Sequence, residues 1–246
     1  MTVVKRYATD SDCYKANVNK SDSRYTTFQE RGPSGLMLHS VGCAQPSGEV
    51  FAKLWNKPNY QVCPHAAIDA NTGVVYQTLP WNYRGWHAGT SLCNNAYVGV
   101  EMCESSKINY TRYDKFEIID KQKAQRDCEC AYNSAVELFA DLCKKFSINP
   151  LTGIISHNEG GKRGIASNHT DPEHYWTGLD MSYTMDGFRA AVKAKIVAAE
   201  DTIKKPIRIV TGAFNSTEYA KLYLKEVNSC FPGSYPVDGD WRAIQL

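Results

Sequence analysis

The chain has 246 residues, a formal net charge of +2, 43% hydrophobic and 22% charged residues, the balance of a globular protein long enough to bury a core. So small a positive excess, with no basic stripe, gives no reason to expect a nucleic-acid partner, and no apolar run approaches the ~20 residues of a membrane helix. Aromatic residues reach 11%, with 15 Tyr and 5 Trp, which suits a groove that stacks sugars or peptides as well as a core.

The opening residues, MTVVKRYATDSDCYK, carry no apolar stretch of a secretory signal, so synthesis in a cytoplasm is expected. The nine cysteines are accordingly read as reduced thiols. The first 30 residues are polar and are expected to wrap the domain. Gly35 to Ser40 (GLMLHS) reads as a short buried strand ending at a polar tip. His65 to Pro80 reads as a hairpin whose turn, DANTG, uses Gly73 at positive φ. Ala96 to Cys103 is an apolar strand interrupted by one carboxylate, Glu101.

From Asp120 to Phe146 apolar residues recur at three- and four-residue steps, from Ala124 and Cys128 through Leu138, Phe139 and Leu142, which predicts one long amphipathic helix. Cys128 and Cys130 lie on it two apart and do not face each other, so they read as core thiols and not as a metal knuckle. Asn149-Pro150 closes the helix, and Leu151 to Ser156 predicts another strand. That strand runs into SHNEGGKRGIASNHTDP, residues 156–172. Thr184 is expected to cap a helix to about Ala199, with Phe188, Val192 and Ile196 inward. Residues 200–206 read as a charged linker, and 207–246 as strand, helix and strand. Those ~40 residues are marginal as an independent domain and suggest a partial one.

Two predicted strands each end in a histidine, His39 and His157, and Asp171 follows in a glycine-containing loop. Two imidazoles and a carboxylate, with a fourth position left to water, make a catalytic zinc arrangement. His169, His174 and Glu159 are rival ligands in the same stretch. Glu101 stands in an apolar strand where an unpaired charge is costly, so it needs either a partner or a task such as general base.

Six segments in order, SDCYKAN, GLMLHSVG, YQTLPWNYRGWHAG, VGVEMCES, SHNEGGKRGIASNHTDPEHYW and TMDGFRAAV, resemble the type 2 N-acetylmuramoyl-L-alanine amidases, which share a fold with peptidoglycan recognition proteins. The likeness is greatest to endolysins of phages and prophages of Firmicutes and covers about residues 9 to 197. It implies an α/β fold with a mixed central β-sheet flanked by helices, here with a small C-terminal βαβ appendage. It implies a zinc cofactor held by His39, His157 and Asp171, and cleavage of the amide between N-acetylmuramic acid and L-alanine in peptidoglycan. By the same resemblance Glu101 matches the catalytic strand glutamate, because Pro64 replaces the tyrosine that another branch uses.

At the position two before the last ligand the family carries a lysine or threonine, and this chain carries His169, a departure. Lys162 and Arg163 are candidate substitutes, while His65, Trp86 and His87 fall where the family places groove residues. The tail resembles the start of a SPOR-type peptidoglycan-binding repeat, and the sequence leaves open whether it binds glycan, forms a homodimer or does neither. The resemblance further implies release from the host cytoplasm to act on the cell wall. A non-catalytic recognition module is the competing reading. A peptidase with a helical H-E-x-x-H motif is not supported, since that motif is missing.

Overall fold

The structure, a computed structural model, describes residues 1–26 and 28–204. The chain divides into two compact units, Met1–Val197 and Ala198–Leu246, and the site and core belong to the first. The expected SPOR-like segment, residues 207–246, lies outside the described residues.

Eight strands are described: β1 (Val3–Lys5), β2 (Gly35–Ser40), β3 (Ala66–Ile68), β4 (Val75–Gln77), β5 (Tyr97–Met102), β6 (Ile108–Arg112), β7 (Lys115–Ile118) and β8 (Ile154–Ser156). Six form one mixed sheet in the order β1-β4-β3-β5-β2-β8, in which only β3 and β4 pair antiparallel. Every residue of β2 is buried, as expected for a near-continuous apolar strand with parallel neighbours on both sides. Its register sets His39 opposite Glu101 of β5 and Leu38 opposite Ser156 of β8. His39, Glu101 and His157 therefore gather at the carboxyl ends of three parallel strands, where open α/β sheets place their ligands.

The helices are α1 (Asp12–Val18), α2 (Phe28–Arg31), α3 (Gly48–Trp55), α4 (Ser91–Asn94), α5 (Lys121–Phe146), α6 (Pro150–Gly153), α7 (His157–Lys162), α8 (Glu173–Gly178) and α9 (Met185–Lys204). The buried stripe of α5, including Ala131, Ala135, Leu138, Phe139 and Leu142, packs in one core with Leu36, Leu38, Val98 and Val100. Because side chains alternate along a strand, Met37, His39, Gly99 and Glu101 face the other way. On that side Met37 packs with Ala88, Cys93 and Ile155 in a separate cluster. One face of the sheet is thus given to stability and the other to the polar site.

Several boundaries depart from the sequence reading. Leu151 to Ser156 is not one strand: Asn149 caps the helical turn α6, with proline at its start, and only Ile154–Ser156 pairs. Ser156 then opens α7 through a reciprocal capping box with Glu159, so the polar stretch after the strand begins as helix. The hairpin β6–β7 carries no clean alternation and was not expected. Helix α9 is capped by Thr184, as expected, and continues past Ala199 to Lys204.

Helix α5 ends on Ser147 in the left-handed region, at φ 55° and ψ 37°. That conformation costs a non-glycine residue about 1–2 kcal/mol, partly offset by the chain entropy a glycine loses on folding. Ser147→Gly is expected to stabilise the protein by about 0.5–1 kcal/mol, with an unchanged m-value in urea denaturation.

Candidate metal centre and groove

Three side chains converge. His39 Nδ1 lies 3.1 Å from His157 Nδ1 and 3.2 Å from Asp171 Oδ2, and His157 Nδ1 lies 3.5 Å from Asp171 Oδ1. All three residues are buried. A tetrahedral ion with bonds of ~2.0–2.1 Å needs ligand atoms ~3.3 Å apart; the two nitrogens are near that spacing, Asp171 turns one oxygen to each, and one ligand atom from each residue lies within 4.8 Å of the others. Strand register supplies the two histidines. The Asp171 loop is fixed by its own backbone, since Asp171 O accepts from Asn158 N at 3.1 Å, and by Ser40 N, which donates to Asp171 Oδ2 at 3.4 Å.

Hydrogen bonds decide which ring nitrogens are bare. His87 Nε2 stands 3.1 Å from Tyr97 O, and a carbonyl only accepts, so Nε2 carries the proton and His87 Nδ1 accepts. His39 Nε2, 3.0 Å from that Nδ1, must then donate, which leaves His39 Nδ1 unprotonated toward Asp171. His157 follows the same logic: Ser167 Oγ donates to Ala88 O at 3.3 Å and accepts from His157 Nε2 at 3.0 Å. Two relays ending on main-chain carbonyls thus present two lone pairs and a carboxylate to one point, an arrangement that a cation satisfies.

Without an ion a proton takes that place. Burial opposes a charge on His39, but Glu101 and Asp171 overcome it and raise its pKa. Burial, then the nearby His39, push His157 down to about 3. Burial alone would raise Asp171, but hydrogen bonds from His169 and His39 hold it well below the usual carboxylate range. Glu101 is pushed up to about 7 by burial, against the pull of His39, 3.9 Å away. Its Oε2 is buried and has no hydrogen-bond partner among the described residues.

The rival ligands are engaged elsewhere. Glu159 takes Arg189 of α9 at 2.9 and 3.0 Å and Ser156 N at 3.2 Å. His174 Nε2 meets Tyr110 Oη at 2.7 Å, and the same hydroxyl donates to Glu104 Oε2 at 2.7 Å. His169 stays beside the centre, its ring stacked on His157 at 4.2 Å and its Nδ1 3.5 Å from Asp171 Oδ1.

His169 also borders two cavities. One, about 410 Å³, is lined by Ser40, Tyr110, Arg112, Tyr113, Asp171 and His174 among others. The other, about 470 Å³, is lined by Arg24, Arg84, Trp86, His87, His157 and Ser167 among others. Trp86 is a groove wall, with Arg24 over its ring at 5.2 Å, and His87 is both wall and orienting group.

Three of the expected groove residues are placed differently. His65 is fully buried, its Nε2 donating to Tyr83 O at 2.7 Å and its Nδ1 accepting from Gly99 N at 3.1 Å, so it fastens the backbone around it and lines neither of these cavities. Lys162 and Arg163 are exposed at the far end of α7 and line neither cavity, which removes them as stand-ins for a lysine at the centre. The sequence reading passed over Ser167, Tyr110, Glu104 and Arg24. Only Glu104 carried a signal, as a second carboxylate just past an apolar strand.

Residues 29–174, more than half of the chain, match the family model Amidase_2, described as N-acetylmuramoyl-L-alanine amidase. The chain is 26% identical over 161 residues to N-acetylmuramoyl-L-alanine amidase CwlH of Bacillus subtilis (strain 168), covering 57% of this chain and 56% of that protein, so it spans little more than half the length of that curated relative. Among solved structures it is similar to the hydrolase AmiA of Staphylococcus aureus, at 18% identity and a TM-score of 0.56 over 82% of this chain and 86% of that one. It is also similar to the PlyG catalytic domain, at 20% identity and a TM-score of 0.53 over 80% and 96%. At such identities the likeness is one of fold, and it bears out the mixed sheet flanked by helices.

Two expectations follow from the centre. His87→Phe removes the acceptor that sets the His39 tautomer and should weaken zinc affinity about 10–100-fold in a competition titration with a chelator. In the metal-free protein the pKa of Glu101 rises from 4.5 unfolded to about 7 folded, so its ionisation opposes folding as the pH climbs between those values. Glu101→Gln should therefore be more stable than the parent above pH 7, by on the order of 3 kcal/mol. The gain should vanish in denaturant titrations run below the unfolded pKa.

Proposed function

Because the chain belongs to the N-acetylmuramoyl-L-alanine amidase family, we propose that it hydrolyses the amide between N-acetylmuramic acid and L-alanine in peptidoglycan, with zinc held by His39, His157 and Asp171. The observation that carries this reading is the convergence of His39 Nδ1 and His157 Nδ1, 3.1 Å apart, on the two oxygens of Asp171 at 3.2 and 3.5 Å, beside Glu101, whose buried Oε2 has no partner among the described residues. Nitrogen and oxygen donors at tetrahedral spacing favour zinc over calcium, which takes six to eight oxygens at longer range.

The ion, when bound, supplies Lewis acidity to the scissile carbonyl and to a water. The protein's own groups do the rest. Glu101, with a pKa raised toward neutrality, takes a proton from the attacking water and returns it to the leaving nitrogen of L-alanine. The C–O bond forms first, placing negative charge on the former carbonyl oxygen, and the C–N bond then breaks as the carbonyl re-forms, giving a muramic carboxylic acid and a free amino terminus. His169 stands where a hydrogen bond can reach the developing oxyanion. Its Nδ1 faces Asp171 Oδ1 at 3.5 Å, which orients the ring beside the centre.

We assign the chain the role of a phage or prophage endolysin on the resemblance of its ordered motifs. Among the described residues no helix is long and apolar enough to cross a membrane. Purified Gram-positive cell wall is the substrate for the test. Chelator-sensitive release of stem peptides with a free amino-terminal alanine, read by mass spectrometry, is the expected outcome. Sedimentation with the wall and no release would leave a binding module. Glu101→Gln should keep its zinc and lose about 10²–10⁴-fold in turnover, whereas Asp171→Ala should lose the metal itself.

A further inference from the structure

Tyr113 is a large aromatic left 65% exposed. With Asp114 it forms the turn between Arg112 of β6 and Lys115 of β7. Its ring meets His169 edge-on, with centroids 5.6 Å apart at 81°. The hairpin does not need it for anchorage. Tyr110 already ties β6 to Glu104 and His174, and Phe116 of β7 packs on Tyr175 at 6.0 Å. Tyr113 is therefore a free aromatic face at the rim of the cavity that opens onto Asp171.

The substrate has two unlike arms on either side of its scissile amide. The stem peptide bears carboxylates, and the glycan is a neutral chain of N-acetylated sugars whose C–H faces lie against aromatic rings. The two cavities differ in the same sense. The one holding Arg24 and Arg84 is lined by no aspartate or glutamate; Asp22 takes the Arg24 guanidinium, and Arg84, bonded to the neutral Asn95, supplies the positive charge there. The one under the hairpin has Asp171 in its wall, two tyrosines and a single arginine, Arg112. Charge sends the peptide arm to the first and leaves the second to the sugar.

We propose that the cavity beneath the β6–β7 hairpin is the glycan subsite and that Tyr113 is its stacking platform, a specificity-determining residue. The inference rests on the amidase reading for the identity of the substrate, and its test is made to fail separately. Two probes, one without peptide and one without sugar, are titrated into the full chain by calorimetry: a GlcNAc–MurNAc tetrasaccharide whose lactyl carboxyls are capped as neutral methylamides, and the free tripeptide L-Ala-γ-D-Glu-L-Lys. A lost aromatic contact is worth up to about tenfold in affinity. Tyr113→Ala should weaken the tetrasaccharide by that factor and leave the tripeptide unchanged, and Tyr113→Trp should restore the loss. Weakened tripeptide binding with intact tetrasaccharide binding would place the peptide under the hairpin and overturn the assignment, as would no change in either or no tetrasaccharide binding by the parent. None of these outcomes depends on release of peptides from cell wall, which tests the amidase reading itself.

Discussion

Everything around the centre follows from one electrostatic constraint: two imidazole nitrogens without protons and one carboxylate share a buried point. Their lone pairs repel, and burial deprives them of water, so a cation must join them. The parallel register of β2, β5 and β8 brings the groups level. The relays through His87 to Tyr97 O and through Ser167 to Ala88 O keep protons off the inward nitrogens. The sheet's other face, packed on α5, meets the cost of holding this polar cluster together.

Glu101 and Glu104 show how three residues of separation divide two carboxylates. Both are buried, and burial raises both pKa values, to about 7 and about 8. Glu104 is occupied by Tyr110 Oη and by Gly42 N, at 2.7 and 3.1 Å. It holds the hairpin and the loop that precedes α3. Glu101 keeps one oxygen free. A sequence shows two glutamates after an apolar run; only the third dimension separates the engaged one from the one with an oxygen left unpaired among the described residues.

The strand-end histidines were legible because strands reveal themselves by composition and a polar residue at the tip of an apolar run stands out. The long helix was legible by its period and its Asp120 cap, which accepts from Lys123 N at 3.0 Å. The hairpin β6–β7 was not, since its strands are mostly exposed and are tied down by Ile108 in the core and by Tyr110 and Phe116 with partners far along the chain. His65 and His87 look alike in sequence and differ in fact by which atoms surround them: backbone groups on both nitrogens of the first, another imidazole on one nitrogen of the second. Ser167 is one hydroxyl in a polar loop, and no local pattern marks it. The Ser156–Glu159 capping signature is present in the sequence, but the apolar IIS before it carries the strand pattern up to the same serine.

Both relays end on carbonyl oxygens, and a carbonyl is carried by every residue type. The terminal partner of each chain of protons is therefore immune to point mutation, and the genetic exposure of the centre shifts to whatever shapes the space around the rings. Gly99 is such a place: any Cβ there would run into the His87 ring, and Gly89 stands in the same relation to Ser167. Selection on this buried cluster accordingly reaches beyond the residues with chemistry in their side chains to two that have no side chain at all.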